Sequence, residues 1–476
     1  MNLPLPAHTA AAPVLSNGNP AGRRRILKAG VALAAGALGV GCGKKETSGP
    51  PVNPGAGPGP GAGPGMEAAN AGAGVQVESG KLWNLSELAP PPDWEKLEAW
   101  QETITADDFR YLLEKVLTDG TSFWSTVEQR PDRALIRMST AVEASPRFEL
   151  RFAKESKPNA AERYWRKMSE MPAPASAERP LEGVRVALDP GHIGGDWAKM
   201  EARWYQMESA SPVMEGELTL ETARMLRPLL EAMGAVVTLV RETHDPLTSQ
   251  QPDKLLAEAR ESLHVSLGAA VLPTDRQIRK EAERLFYRTS EIRTRGHRVN
   301  EVLKPDVVVC LHYNAEAWGQ DAGKPLFSKA NHVHVLAHDC ISPAEFQNDD
   351  QRWDGLMRLV QRIPDEEIRL CDAVARHLAA ATGLPPYTYP GRNARQVNDN
   401  SYLWVRNLLA NRVYHCPVVF TEPYVMNNQE IFDRLQAGNY EGIREIAGKQ
   451  RFSIFREYAQ GVADGLAEAY KAGRPT

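Results

Sequence analysis

The sequence predicts an α/β protein: a mostly parallel twisted sheet flanked by helices, preceded by a small α+β module. Three observations carry that expectation. From about residue 181 to residue 476, short apolar runs alternate with longer stretches whose apolar residues recur every three or four positions. Some runs are apolar throughout, as in Val307-Val308-Val309-Cys310-Leu311, which suits strands covered on both faces. Polar residues able to do chemistry stand just beyond the ends of these runs, where α/β sheets place their ligands.

The chain has 476 residues, too many for one small domain, with 42% hydrophobic and 24% charged residues, as in an ordinary globular enzyme. Its formal net charge is −4. Arg23, Arg24, Arg25 and Lys28 lie in an acid-free leader, so the remainder is more acidic still. A body without basic excess excludes nucleic acid as a partner. Five cysteines (Cys42, Cys310, Cys340, Cys371, Cys416) show no C-x-x-C spacing, and no disulfide framework is expected.

Residues 1–42 read as an export signal. The basic cluster precedes an apolar run, Ala29 to Gly41, of about 13 residues, too short to span a bilayer. Arg23-Arg24-Arg25-Ile26-Leu27-Lys28 resembles a twin-arginine signal. Val40-Gly41-Cys42 resembles a bacterial lipoprotein cleavage site, which implies lipidation of Cys42 and a membrane anchor. The expected location is outside the cytoplasm, in the periplasm or cell envelope. Residues 43–80, rich in Gly, Pro and Ala, read as a flexible linker.

Residues 81–180 read as the small α+β module. Asp107-Asp108 is suited to cap a helix carrying Phe109, Leu112, Leu113, Val116 and Leu117, with Gly120 as its stop. Ala134–Met138 and Phe148–Phe152 alternate like paired strands. Trp94, Trp100, Trp124 and Trp165 are expected to pack rather than bind. Met171-Pro172-Ala173-Pro174 reads as a linker.

The remainder, 181–476, supplies strands at Val184–Leu188, Val236–Val240, Val307–Leu311, His332–Leu336 and Val418–Thr421. Leu218, Thr222, Met225, Leu226, Leu229, Leu230 and Met233 form one helical face closed by Gly234. Pro228 within it predicts a kink. Ile368, Cys371, Val374, Ala375, Leu378 and Ala379 mark a second helix stopped by Gly383.

The strand Val184–Leu188 ends in Asp189-Pro190-Gly191, a turn that delivers His192 to the sheet edge. His312 and Glu422 occupy matching positions after their own strands, and Glu215 lies just before the first long helix. Two imidazoles and a carboxylate with an open position suit a single catalytic zinc. Glu422 is suited to take a proton from the attacking water. The competing use of each residue is bland: a capped strand end, a core histidine, or a carboxylate at a helix N-terminus. A rival cluster, His332, His334 and His338, places two imidazoles on one strand face.

Region 181–476 resembles the zinc-dependent N-acetylmuramoyl-L-alanine amidases of the amidase-3 type. Leu188-Asp189-Pro190-Gly191-His192-Ile193-Gly194-Gly195 is similar to the opening motif, Glu215-Gly216-Glu217-Leu218-Thr219-Leu220 to the second, and Asp306–Ala315, preceded by Arg295 and Asn300, to the third. Pro417–Glu422 with Asn428 is similar to the last. The resemblance implies one Zn2+ held by His192, Glu215 and His312, a catalytic Glu422, and peptidoglycan as partner, cut between the muramic lactyl group and L-Ala. After the last Glu the family usually has a Gly and an aromatic; here Pro423-Tyr424-Val425 follow. Segments 246–290 and 325–365 are expected to be insertions that shape or gate the groove. Two other readings fit the same residues: a catalytically inactive peptidoglycan-binding module, and a zinc peptidase acting on the stem peptide.

Overall fold

The computed structural model describes residues 82–119, 122–155, 163–268, 271–317 and 326–475. The leader, Cys42, the linker and Gly120 lie outside the described residues. A three-stranded antiparallel sheet comes first: β1 (Val127–Gln129), β2 (Arg133–Arg137) and β3 (Arg147–Arg151). The main sheet has seven strands: β4 (Arg185–Pro190), β5 (Val236–Leu239), β6 (Val307–Leu311), β7 (Val333–Ala337), β8 (Ala394–Gln396), β9 (Leu403–Arg406) and β10 (Val418–Pro423). They lie in the order β8-β9-β7-β10-β6-β4-β5. Four of the six pairings are parallel and two, β8 with β9 and β7 with β10, are antiparallel, so the sheet is mixed but mostly parallel.

Period two sorts the central strands into two buried layers. Val307, Val309 and Leu311 join a core with the long helices α1 (Glu215–Ala232), α5 (Ile363–Thr382) and α6 (Ile454–Gly473). Val308 and Cys310 face the opposite layer with Phe420, Leu336 and Trp404. Helix α6 crosses α5 closely: a Cβ on Gly465 would lie 2.5 Å from the Val374 Cα.

Helix α1 begins at Glu215, three residues before the apolar run suggests, and continues through Pro228. Its buried face is Glu215, Thr219, Leu220, Thr222, Ala223, Leu226 and Leu230, while Leu218, Met225, Leu229 and Met233 are only partly buried. Burial of Glu215 and Gly216 at the first turn sets that rotation. In the small module the helix cap is Thr105, not the Asp pair: its side chain accepts from the Asp108 N–H at 3.1 Å. Trp94, Trp100 and Trp165 are buried, as packing residues should be; Trp124 is 40% exposed.

The two long segments carry secondary structure packed into the body. Segment 246–290 holds helices α2 (Leu256–Leu267) and α3 (Asp275–Arg284), whose Ala259, Ile278 and Ala282 share a core with Leu285, Phe286 and Ile193. Segment 325–365 contributes β7 and helix α4 (Asp349–Val360), every residue of which is buried. Helix α4 shares one core with the small module: Leu356, Leu359 and Val360 meet Phe109, Leu113 and Phe148. Polar contacts tie the same pieces. The Asn84 and Thr140 N–H groups donate to Asp349 at 2.7 and 2.9 Å, and the Ser86 N–H to Asp350 at 2.8 Å. The stretch read as a linker is also anchored: Met171 is buried in the main core and the Pro172 carbonyl accepts from Arg474 at 3.0 Å. The four described cysteines are buried and unbridged.

Candidate metal centre and active site

Gly191 and His192 leave β4 in a turn held by two buried arginines. Arg295 donates to the Pro190 and His192 carbonyls, each at 2.7 Å, and to Asp189 at 3.0 Å. Arg241 donates to the Pro190, Gly191 and Gly216 carbonyls, at 3.1, 3.2 and 2.6 Å. His192 sits at φ 60°, a left-handed conformation that side chains rarely adopt and that this clamp maintains.

His312 follows β6 and therefore shares a face with Cys310 and, across the pairing, with Phe420 and Glu422. Its ring stacks on Phe420 with centroids 4.3 Å apart. The Tyr458 hydroxyl of α6 donates to the His312 carbonyl at 3.1 Å. Glu215, fully buried at the start of α1, accepts from the Tyr313 N–H at 3.0 Å.

These three residues converge. His192 Nε2 lies 3.3 Å from Glu215 Oε2, and His312 Nδ1 lies 3.4 Å from Glu215 Oε1. One ligand atom from each falls within 4.8 Å of the others, a spacing that can hold a metal ion. Glu215 Oε2 and His312 Nδ1 are buried without a hydrogen-bond partner, which fits donors reserved for an ion. Burial works against a charged Glu215, but His192, His312 and Arg203 hold its pKa well below the usual carboxylate range. Burial lowers the pKa of His312, keeping it neutral.

Glu422 ends β10 on the same sheet face, 1% exposed, with neither carboxylate oxygen hydrogen-bonded. Burial, then the charge of Glu215, pushes its pKa well above the ordinary range, while Arg203 and Arg406 pull it back. Tyr424 takes φ 61°, so it adopts the conformation a Gly would, fixed by its N–H to the His332 carbonyl at 3.0 Å and its hydroxyl to Glu457 at 2.8 Å.

The rival histidines do not form a metal cluster among the described residues. His334 pairs directly with Glu422 across the sheet and bonds Tyr389 at 2.9 Å; His338 bonds Asn411 at 3.2 Å. Burial pushes His332 down to about 4 and the other two well below the usual imidazole value. Sequence reasoning missed two residues of the site, Glu201 and Arg203. Glu201 lies 3.4 Å from His192 Nδ1 and accepts the Ile193 N–H at 2.9 Å. Such a carboxylate orients the ring and turns Nε2 toward Glu215. Both residues sit in an aperiodic stretch that offers no strand or helix signal.

A Cβ on Gly191 would fall 2.3 Å from the His312 ring. Gly191→Ala is therefore expected to displace that imidazole and lower divalent-cation binding at least tenfold in equilibrium dialysis, with far-UV circular dichroism unchanged; unaltered binding would show that the close approach is not required.

Fold and site together define an α/β protein with a two-histidine, one-glutamate cluster at the C-terminal ends of its central parallel strands and an unpaired carboxylate beside it. Over 87 residues the chain is 33% identical to a probable cell wall amidase, LytH, of Staphylococcus aureus, covering 18% of this chain and 28% of that protein. The chain thus spans little more than a quarter of the curated relatives it matches. Among solved structures it is similar to the N-acetylmuramyl-L-alanine amidase Ami1 of Mycobacterium smegmatis (16% identity, 61% of this chain and 99% of that one, TM-score 0.35). It is also similar to the CwlD amidase of Clostridioides difficile, solved in complex with the GerS lipoprotein (14% identity, 61% and 100%, TM-score 0.34). No family model matches the chain.

Proposed function

We propose that this chain is a zinc-dependent N-acetylmuramoyl-L-alanine amidase that hydrolyses the amide between the muramic lactyl group and L-Ala in peptidoglycan. The observation that carries the reading is the meeting of His192, Glu215 and His312 within 4.8 Å beside the unpartnered Glu422. His192, Glu215 and His312 would hold the zinc, which when bound would supply Lewis acidity and lower the pKa of a water to about neutral pH. Glu422 accepts a proton from the attacking water at its unpartnered carboxylate and returns it to the departing L-Ala amine. Glu201 keeps the His192 ring aimed, and the arginine clamp keeps its main chain in place. The reading includes export by residues 1–42 and anchoring through lipidated Cys42. No helix among the described residues is long and apolar enough to cross a membrane.

A second reading, a catalytically silent module that binds peptidoglycan, has one observation in its favour: the Arg203 guanidinium nitrogen lies 3.1 Å from Glu215 Oε2, a positive charge on a candidate ligand. Mass spectrometry of purified sacculi treated with the protein, with and without chelator, decides. The amidase releases intact stem peptides with a new N-terminal L-Ala, and chelator abolishes the release. New ends inside the peptide would indicate a peptidase; undigested sacculi that nonetheless retain the protein would indicate the silent module.

A further inference from the structure

The segment Glu201-Ala202-Arg203 brackets the His192 ring. Glu201 faces Nδ1, while Arg203 Nε lies 3.4 Å from Nε2 and 3.1 Å from Glu215 Oε2. Arg203 is not a mobile surface arginine. Its side chain is 9% exposed, its N–H donates to the Ala198 carbonyl at 2.9 Å, and its carbonyl accepts from the Glu215 N–H at 3.2 Å. The residue that carries the charge is thus stitched by its main chain to the residue it faces. The preceding Ala202 takes φ 55°, which completes the tight return. The Arg203 Nε–H points at the imidazole nitrogen, not at the carboxylate, whose Oε2 accepts no hydrogen bond; toward Glu215 the contact is one of charge.

A permanent monocation held against two of three candidate ligand atoms opposes a dication drawn to the same atoms, and does so strongly in a water-poor site. It also supplies the fully buried Glu215 with a counter-charge. We propose that Arg203 is a positioning residue that holds Glu215 and His192 assembled and, by its charge, sets a ceiling on how tightly the cluster binds a divalent cation. The inference rests on the reading of these residues as metal ligands, and asks about binding rather than turnover. The sign of its effect distinguishes it from a merely structural role: loss of a packing residue weakens ion binding, whereas loss of an opposing charge strengthens it.

The test measures the zinc dissociation constant of the full chain by competition with a chromophoric chelator, for wild type, Arg203→Lys, Arg203→Gln and Arg203→Met. Arg203→Gln and Arg203→Met are expected to bind zinc roughly tenfold or more tighter than wild type. Arg203→Lys, which keeps the charge, should stay within about threefold of it. In excess EDTA the two neutral variants should also melt below wild type, because Glu215 loses its partner. Equal or weaker zinc binding in both neutral variants overturns the proposal, as does failure of both to fold with zinc present. Zinc binding with the expected ranking but no digestion of sacculi would sink the amidase reading and leave this one standing.

Discussion

Replacing Glu422 with Gln is expected to leave zinc stoichiometry intact while release of stem peptides from sacculi falls roughly 10²- to 10⁴-fold, the usual contribution of a positioned acid–base group. The amide matches the carboxylate in shape, and Glu422 is not among the atoms that converge on Glu215, so the cluster keeps its ligands. What is lost is the ability to hold a proton. Both Glu422 oxygens are unpartnered and the residue is 1% exposed, so no neighbouring donor substitutes for it. Elemental analysis of the purified variant together with a peptide-release assay checks both halves. Full turnover in Glu422→Gln would remove the proton-transfer role; loss of zinc would make Glu422 a ligand instead.

A chain beginning at Arg163 is expected not to fold. Removing the small module would expose Ile341, Phe346, Leu356, Met357, Leu359 and Val360, all now in the shared core. At about 1.5–3 kcal/mol for each such side chain, the loss is on the order of 10 kcal/mol or more. That matches or exceeds the roughly 5–15 kcal/mol by which a domain is stable. The polar side is equally affected. Asp349 and Asp350 would lose their N–H donors from Asn84, Thr140 and Ser86, and Arg352 its carbonyl acceptors at Arg137 and Met138, both at 3.2 Å. Thermal melting and limited proteolysis of the shortened chain provide the measurement. A cooperative transition within a few degrees of the 476-residue chain would mean that the region carrying the main sheet folds without the small module.

Much of this was legible in the sequence where the signal is local. Val307–Leu311 reads as a doubly covered strand because nothing polar interrupts it, and the structure gives that strand the same bounds. His192, His312 and Glu422 are visible because each comes shortly after a predicted strand. Apolar periodicity puts Glu215 outside its helix because that periodicity starts later than the helix itself: a buried carboxylate opens α1 where a hydrophobe would be expected. His332 and His334 do share a face, but their strand runs antiparallel to β10, which sets His334 opposite Glu422 and not in a ligand set of its own. Glu201 and Arg203 were silent, since a turn leaves no period. The joining of the small module to α4 was silent for another reason: the bonds from Asn84 and Ser86 to Asp349 and Asp350 span 265 and 264 residues, and no local pattern encodes such a separation.

The hydroxyl of Tyr458 gives the order of synthesis a consequence. It grips the His312 carbonyl and the Thr421 side chain from a helix that follows every strand of the main sheet. While translation is under way, the His312 strand and the Glu422 strand therefore lack their common brace. A hydrolase of the kind proposed would be complete only once α6 has been made.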